Sequence, residues 1–185
     1  MEHKKEANAG CLGLLGFGMT TALLNLHNIG AIEMSMMIIA MGICLGGLAQ
    51  FIAGLMEFKA GNTFGATAFT AYGLFWWSLV LIFIIPAEKW QVAAADGKAL
   101  GWYFIFWCIF TFFMFLGTLK GSKALMLVFL TLTLLFLFLA IEKFTGSETI
   151  CLVAGIIGII CGCIAIYTAV ANVLNETYGK KVFPV

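Results

Sequence analysis

Within the otherwise oily stretch "NAGCLGLLGFGMTTALLNLHN", five hydrogen-bonding side chains, Thr20, Thr21, Asn25, His27 and Asn28, gather toward one end. At 100° per residue, Gly13, Phe17, Thr20, Thr21, Leu24 and Asn28 share a broad helical sector with Asn25 at its edge. A lone threonine in an apolar helix bonds the carbonyl one turn back and needs no further partner. Asparagine amides and an imidazole bring more bonds than that to satisfy where water is absent. They imply a polar surface, made either by another helix or by a wet passage. His27 could also titrate in a transport step, because an unperturbed histidine changes charge near physiological pH.

Two further groups of residues could do similar chemistry. In "GNTFGATAFTAYG", Thr63, Thr67, Thr70 and the later Ser78 form one stripe, while Tyr72 points nearly the opposite way on a straight helix. Both sets line one pore only if the helix is irregular near its start, which Gly61, Gly65 and Gly73 permit. Tyr72 is the expected pore-lining group, with some threonines bonding backbone. Gly42, Gly46, Ala49, Gln50, Ala53 and Glu57 share another face, as do Gly155, Gly158, Gly162, Ala165 and Ala169. Small residues let helices pack closely, or leave space for a narrow path. Glu57 with Lys59 reads as a solvated or paired cluster at a pore mouth.

The elements that must position these groups are membrane spans. The chain is 63% hydrophobic and 10% charged, a composition that no soluble domain of 185 residues could bury. A helix needs about 20 mainly apolar residues to cross a bilayer. Six stretches qualify, at 11–28, 36–57, 65–86, 100–118, 124–142 and 149–172. The fold class is therefore an all-α membrane protein, one six-helix domain over 1–185 with short tails at 1–10 and 173–185. Little sequence remains outside the bilayer for a soluble catalytic or nucleotide-binding unit. The fifth span is almost uniformly bulky, and much of it is expected to face lipid or a neighbouring subunit.

Orientation follows from the lysines, because cytoplasmic segments keep an excess of positive charge. Lys4, Lys5, Lys59, Lys120, Lys123, Lys180 and Lys181 fall on one side of a six-span arrangement, and Lys89, Lys98 and Lys143 on the other. Both termini are expected in the cytoplasm and the protein in the plasma membrane. The five tryptophans cluster around the third and fourth spans, where some should anchor at headgroup level.

Several function classes are excluded. A net charge of +1 gives no reason to expect nucleic acid. The six cysteines show neither C-x-x-C nor Cys/His metal spacing, and no cofactor or metal is expected. Hydrolase, metalloprotease and P-loop signatures are absent, and no span carries an ionisable residue near its centre. What remains is a sparsely polar, uncharged route for a small solute. A channel for ammonia, urea or water would fit that description, and so would a non-transporting scaffold.

"NAGCLGLLGFGMTTALLNLHN", "GGLAQFIAGLMEFKAGNTFGATAFTAYG", "FLGTLKG" and "VLNETYGKKVFP" together resemble the acetate uptake transporter family, the succinate-acetate permeases. The likeness spans nearly the whole chain. In the family's N-P-A-P-L-G-L signature Asn8, Leu12, Gly13 and Leu14 match, while Ala9, Gly10 and Cys11 replace the P-A-P portion. The resemblance implies a homo-hexamer of six-helix protomers, each with its own pore for acetate, in some members succinate, moved with protons or as anions. It also implies a hydrophobic constriction at Phe17, Tyr72 and Leu132. The route then includes Asn8, Thr20, Thr21, Asn25, Asn28, Gln50, Thr67 and Thr70, with Glu57 and Lys59 at the cytoplasmic mouth. Partners on this reading are small carboxylates, protons and the lipid bilayer.

Overall fold

The computed structural model describes residues 7–185; Lys4 and Lys5 lie outside the described residues. Among the described residues, six helices are long and apolar enough to cross a membrane: α1 (Gly10–Asn28), α2 (Met36–Lys59), α3 (Thr63–Ile84), α4 (Gly97–Thr118), α5 (Lys123–Thr145) and α6 (Glu148–Thr177). At 1.5 Å per residue, the 19 residues of α1 extend about 28 Å, close to the thickness of a hydrocarbon core. The 30 residues of α6 extend about 45 Å and project well beyond it.

Side chains set where most helices start. Asn62, Asp96, Ser122 and Ser147 each accept a hydrogen bond from a first-turn amide of α3, α4, α5 and α6. The Asp96 cap starts the fourth span at Gly97, earlier than hydropathy places it. Ala9 cannot cap α1, but the Asn8 side chain accepts from the Gly10 amide at 3.0 Å. The asparagine thus orders a helix start that lacks the family's prolines. Gly146, at φ 67°, ends α5 in the left-handed region.

α2 is not a uniform helix. Between Gly42 and Ala49 it widens to a π-helix, a form uncommon outside functional segments. Sequence periodicity gives no hint of it. The extra width is filled from α3: a Cβ on Gly46 would sit 2.7 Å from the Trp76 ring, and one on Gly47 would meet the Trp77 indole. Trp77 also donates to the Ile43 carbonyl at 3.0 Å. Trp76 and Trp77 therefore pack against α2 instead of anchoring at headgroups, whereas Trp90 and Trp102 are exposed.

The most extensive helix contact joins α1 to α6. A Cβ on Gly18 would lie 2.7 Å from the Gly162 carbonyl oxygen, and one on Gly162 would lie 2.7 Å from that of Gly18. Gly155 and Gly158 continue the seam against Ile29 and Asn25. The small-residue stripe of the sixth span is helix packing along this length.

The fifth span, much of which is expected to face outward, is one third buried. α5 buries Val128, Phe129, Leu132, Leu135, Phe136 and Ala140, and α4 is the least buried of the six spans. Uniform bulk carries no periodicity and so could not say which face was covered. Among the cysteines, Cys161 is fully buried, and Cys44 and Cys163 are exposed.

The α1–α6 seam makes a direct prediction. Gly162→Val should lower the thermal midpoint of the purified protein in detergent, an overpacking penalty of about 1–3 kcal/mol or more. Gly121→Ala, in a loop with an ordinary 3.4 Å neighbour, should leave it unchanged.

Candidate permeation path

Two cavities lie in line through the helix bundle. The proximal one, beside the amino end of α1, has a volume of about 210 Å³, and the distal one about 190 Å³. Both are below the ~300 Å³ at which pockets for drug-sized ligands begin, so they suit small solutes. Phe17 and Leu132 line both cavities and form the wall between them. Tyr72 lines the proximal side of that wall, its ring 6.1 Å from Phe17 and 6.1 Å from Phe129. Phe17, Tyr72 and Leu132 are each at most 6% exposed. Three residues from α1, α3 and α5 thus meet in a layer that is apolar but for one phenol.

That phenol is anchored away from the passage. Tyr72 Oη lies 2.9 Å from Thr111 Oγ1, and Thr111 on α4 is wholly buried. Trp107 and Phe110 on the same helix pack on the Tyr72 ring, with centroids 5.9 and 5.6 Å away. α4 therefore touches the constriction by fixing the tyrosine rotamer. Thr111 carries no family motif and could not be singled out from sequence.

The proximal cavity is lined near its mouth by Asn8, Glu57, Asn62 and Asn172, and deeper by Gln50 and Thr168. Glu57 is 6% exposed and accepts from Asn62 Nδ2 at 2.6 Å. Asn62 in turn caps α3 through Gly65 N at 3.1 Å. Sequence reading missed Asn62, although a cap-forming residue before "TFGATAF" was a usable signal. The expected Glu57 and Lys59 cluster divides: the carboxylate turns inward to Asn62, and Lys59 is exposed and lines neither cavity.

The distal cavity is lined by Thr21, Asn25, His27 and Asn28 from α1 and by Glu142 and Lys143 from α5. Asn25 donates to the Thr21 carbonyl at 2.8 Å, and Asn28 donates to Asn25 Oδ1 at 3.0 Å. His27 Nδ1 lies 3.2 Å from the Ile32 carbonyl, a pairing that requires the proton on Nδ1. Lys143 and Glu142 form an ion pair at 3.1 Å. This lysine places a cation on the path that helical pattern alone did not assign to it.

Three expected path residues lie elsewhere. Thr20 is fully buried against α2, donating to the Gly16 carbonyl at 2.8 Å with the Met41 carbonyl 3.4 Å away. Thr67 is exposed on the outer surface of the bundle. Thr70 faces the α2 backbone at Gly54. The reason is that α3 is regular from Thr63 to Ile84. A straight helix that turns Tyr72 to the cavity must turn the threonine stripe away from it. Among the described residues, no cluster of His, Cys, Asp and Glu could hold a metal ion.

Six crossing helices around two small cavities, joined at an apolar wall, define a membrane protein with a solute pathway. The profile of the GPR1/FUN34/yaaH family matches residues 1–184. The chain belongs to that family. It is 52% identical over its full length to the succinate-acetate/proton symporter SatP of Escherichia coli strain K12, covering 98% of that protein. It superposes on the structure of the bacterial acetate channel SatP with a TM-score of 0.94 and 52% identity, covering 98% of this chain and 99% of that one. It is also 36% identical to the ammonia transport outward protein 2 of Saccharomyces cerevisiae over 93% of this chain and 63% of the yeast protein.

The Tyr72 anchor is testable through stability. Tyr72→Phe should destabilise the protein by about 1 kcal/mol, the size of one buried hydrogen bond left unmade. Thr111→Val added to it should recover part of that loss, read as non-additivity in a double-mutant cycle of thermal midpoints.

Proposed function

We propose that this chain moves acetate and related small carboxylates, succinate among them, across the plasma membrane with protons, through the path just described. Phe17, Tyr72 and Leu132 act as an apolar gate that stays dry when empty. Asn8 and Gln50 on one side, and Thr21, Asn25 and Asn28 on the other, receive the polar end of the solute, with Glu57 at the cytoplasmic mouth. The proximal cavity opens to the cytoplasm, where both termini lie. The six spans form a single domain, and protomers assemble as homo-hexamers with one pore each.

The observation that carries this reading is the sharing of Phe17 and Leu132 by two polar-lined cavities in a chain half identical to a succinate-acetate/proton symporter. A carboxylate with a short alkyl end matches alternating polar and apolar surfaces. The cavities contain no built anion clamp such as an arginine fork, so binding is weak and exchange is fast. The relatives named are transporters and channels, which agrees with the absence of an enzymatic constellation. A second reading, export of ammonia, is supported by the name of the yeast relative and by an uncharged gate that a small neutral solute would pass.

Gate identity is tested by size selectivity. In proteoliposomes, Phe17→Ala and Leu132→Ala should admit carboxylates larger than those the parent protein takes up. Folded variants whose selectivity is unchanged would remove these residues from the gate. Methylammonium uptake in the same vesicles, exceeding that of acetate, would favour the ammonia reading.

A further inference from the structure

Gln50 stands where α2 leaves its π-helical segment, is 0% exposed, and lines the deep end of the proximal cavity. Its Nε2 lies 2.7 Å from the Gly46 carbonyl oxygen. Because a carbonyl can only accept, this contact fixes which end of the amide is nitrogen. The other end, Oε1, has no hydrogen-bond partner among the described residues. A buried amide oxygen left unpartnered costs about 1–3 kcal/mol, so its retention at a cavity wall points to a ligand.

The chemistry of that ligand follows from the atoms. Gly46 uses one of the two hydrogens on Nε2, which leaves one N–H beside one free carbonyl oxygen. A carboxylic acid presents the matching pair: its O–H donates to Oε1, and its carbonyl accepts from the remaining N–H. A carboxylate has acceptors alone, so one of its oxygens would be set against Oε1.

The rest of the cavity points the same way. Thr168 donates its hydroxyl hydrogen to the Ile164 carbonyl at 2.7 Å and has none left for a carboxylate. The titratable side chains lining the cavity are Tyr72 from α3 and Glu57 from α2 itself; α1, α5 and α6 contribute Asn8, Phe17, Leu132 and Thr168 among others, none of which titrates. Among the described lining residues there is no cationic side chain, and the one side-chain carboxyl group, that of Glu57, disfavours a second negative charge. An unpaired carboxylate in such surroundings takes a proton rather than stay charged.

We infer that Gln50 is a binding site for the undissociated carboxylic acid, held through a two-point amide–acid pair just inside the gate. The inference rests on the carboxylate-transport reading above and adds the protonation form that the site accepts. Coupling to protons then needs no titrating residue at the gate, because substrate and proton cross the wall as one neutral molecule. The distal cavity, with His27 and the Lys143–Glu142 ion pair, is where an arriving carboxylate meets donating groups before it is protonated.

The test uses full-length protein in liposomes under an imposed membrane potential, with uptake into protein-free liposomes subtracted. Labelled acetate is the substrate, and acetamide is the probe, since it has the acid's shape, pairs with a glutamine amide and cannot ionise. Protein-dependent acetate uptake should be unaffected by a potential of either sign, and excess acetamide should inhibit it. Gln50→Met should reduce acetate uptake about 10-fold, the equivalent of one buried polar contact, and abolish inhibition by acetamide. Uptake that follows the potential as an anion's would, with acetamide without effect on the parent protein, would overturn the proposal even if Gln50→Met fails to fold. An absence of any protein-dependent acetate uptake would overturn the carboxylate reading itself, and this proposal with it.

Discussion

Inside a bilayer no water is available to rescue an unpaired polar group, and this constraint organises the whole molecule. Many of the hydroxyls and amides in the spans are turned onto a carbonyl of their own helix: Thr20 onto Gly16, Asn25 onto Thr21, Gln50 onto Gly46, Thr133 onto Phe129 and Thr168 onto Ile164. These bonds make helices with polar residues compatible with lipid. They also determine what is left over for a solute, because a hydroxyl engaged at i−4 has spent its one hydrogen, whereas an amide so engaged keeps a second N–H. The path is consequently lined less by donors than its residue types imply.

Close packing is the second consequence. Helices in lipid gain little from hydrophobic exclusion, so they associate by approach of their surfaces. The α1–α6 seam at Gly18 and Gly162 holds one wall of the path, and the π-helical segment of α2, wedged by Trp76 and Trp77, holds another. Both use glycine so that a backbone or a large ring can occupy the place of a side chain. The apolar layer between the cavities is then framed by bulky groups from α5, whose Leu132, Leu135 and Phe136 fill the interior.

Much of this was legible in the sequence, and the exceptions have physical causes. Six spans follow from hydropathy, and the sixth-span glycines announce a packing seam. The family resemblance names Phe17, Tyr72 and Leu132, which the fold brings into one layer. Thr67 and Thr70 mislead because type without direction cannot tell a lumen from a lipid face. Had the regularity of α3 been assumed, the position of Tyr72 would have excluded them. The outward placement of α4 was hidden because two uniformly apolar helices look alike; which one is covered depends on tertiary contacts. The π-helix was hidden because i→i+5 bonding leaves no periodic signature over so short a segment.

The departures from the family's first-helix signature have a local explanation in the same terms. Proline at a helix start pre-sets φ and removes an amide that would otherwise need a partner. Here Ala9, Gly10 and Cys11 supply neither effect, and the Asn8 side chain accepts the Gly10 amide instead. The same residue lines the proximal cavity, so its oxygen serves the helix while its Nδ2 remains a donor at the mouth. The next cap along the path has the same double role, since Asn62 accepts from Gly65 through Oδ1 and donates to Glu57 through Nδ2. Helix capping and path lining are thus done by the same two asparagines. That shared use ties one side of the mouth to the ends of α1 and α3.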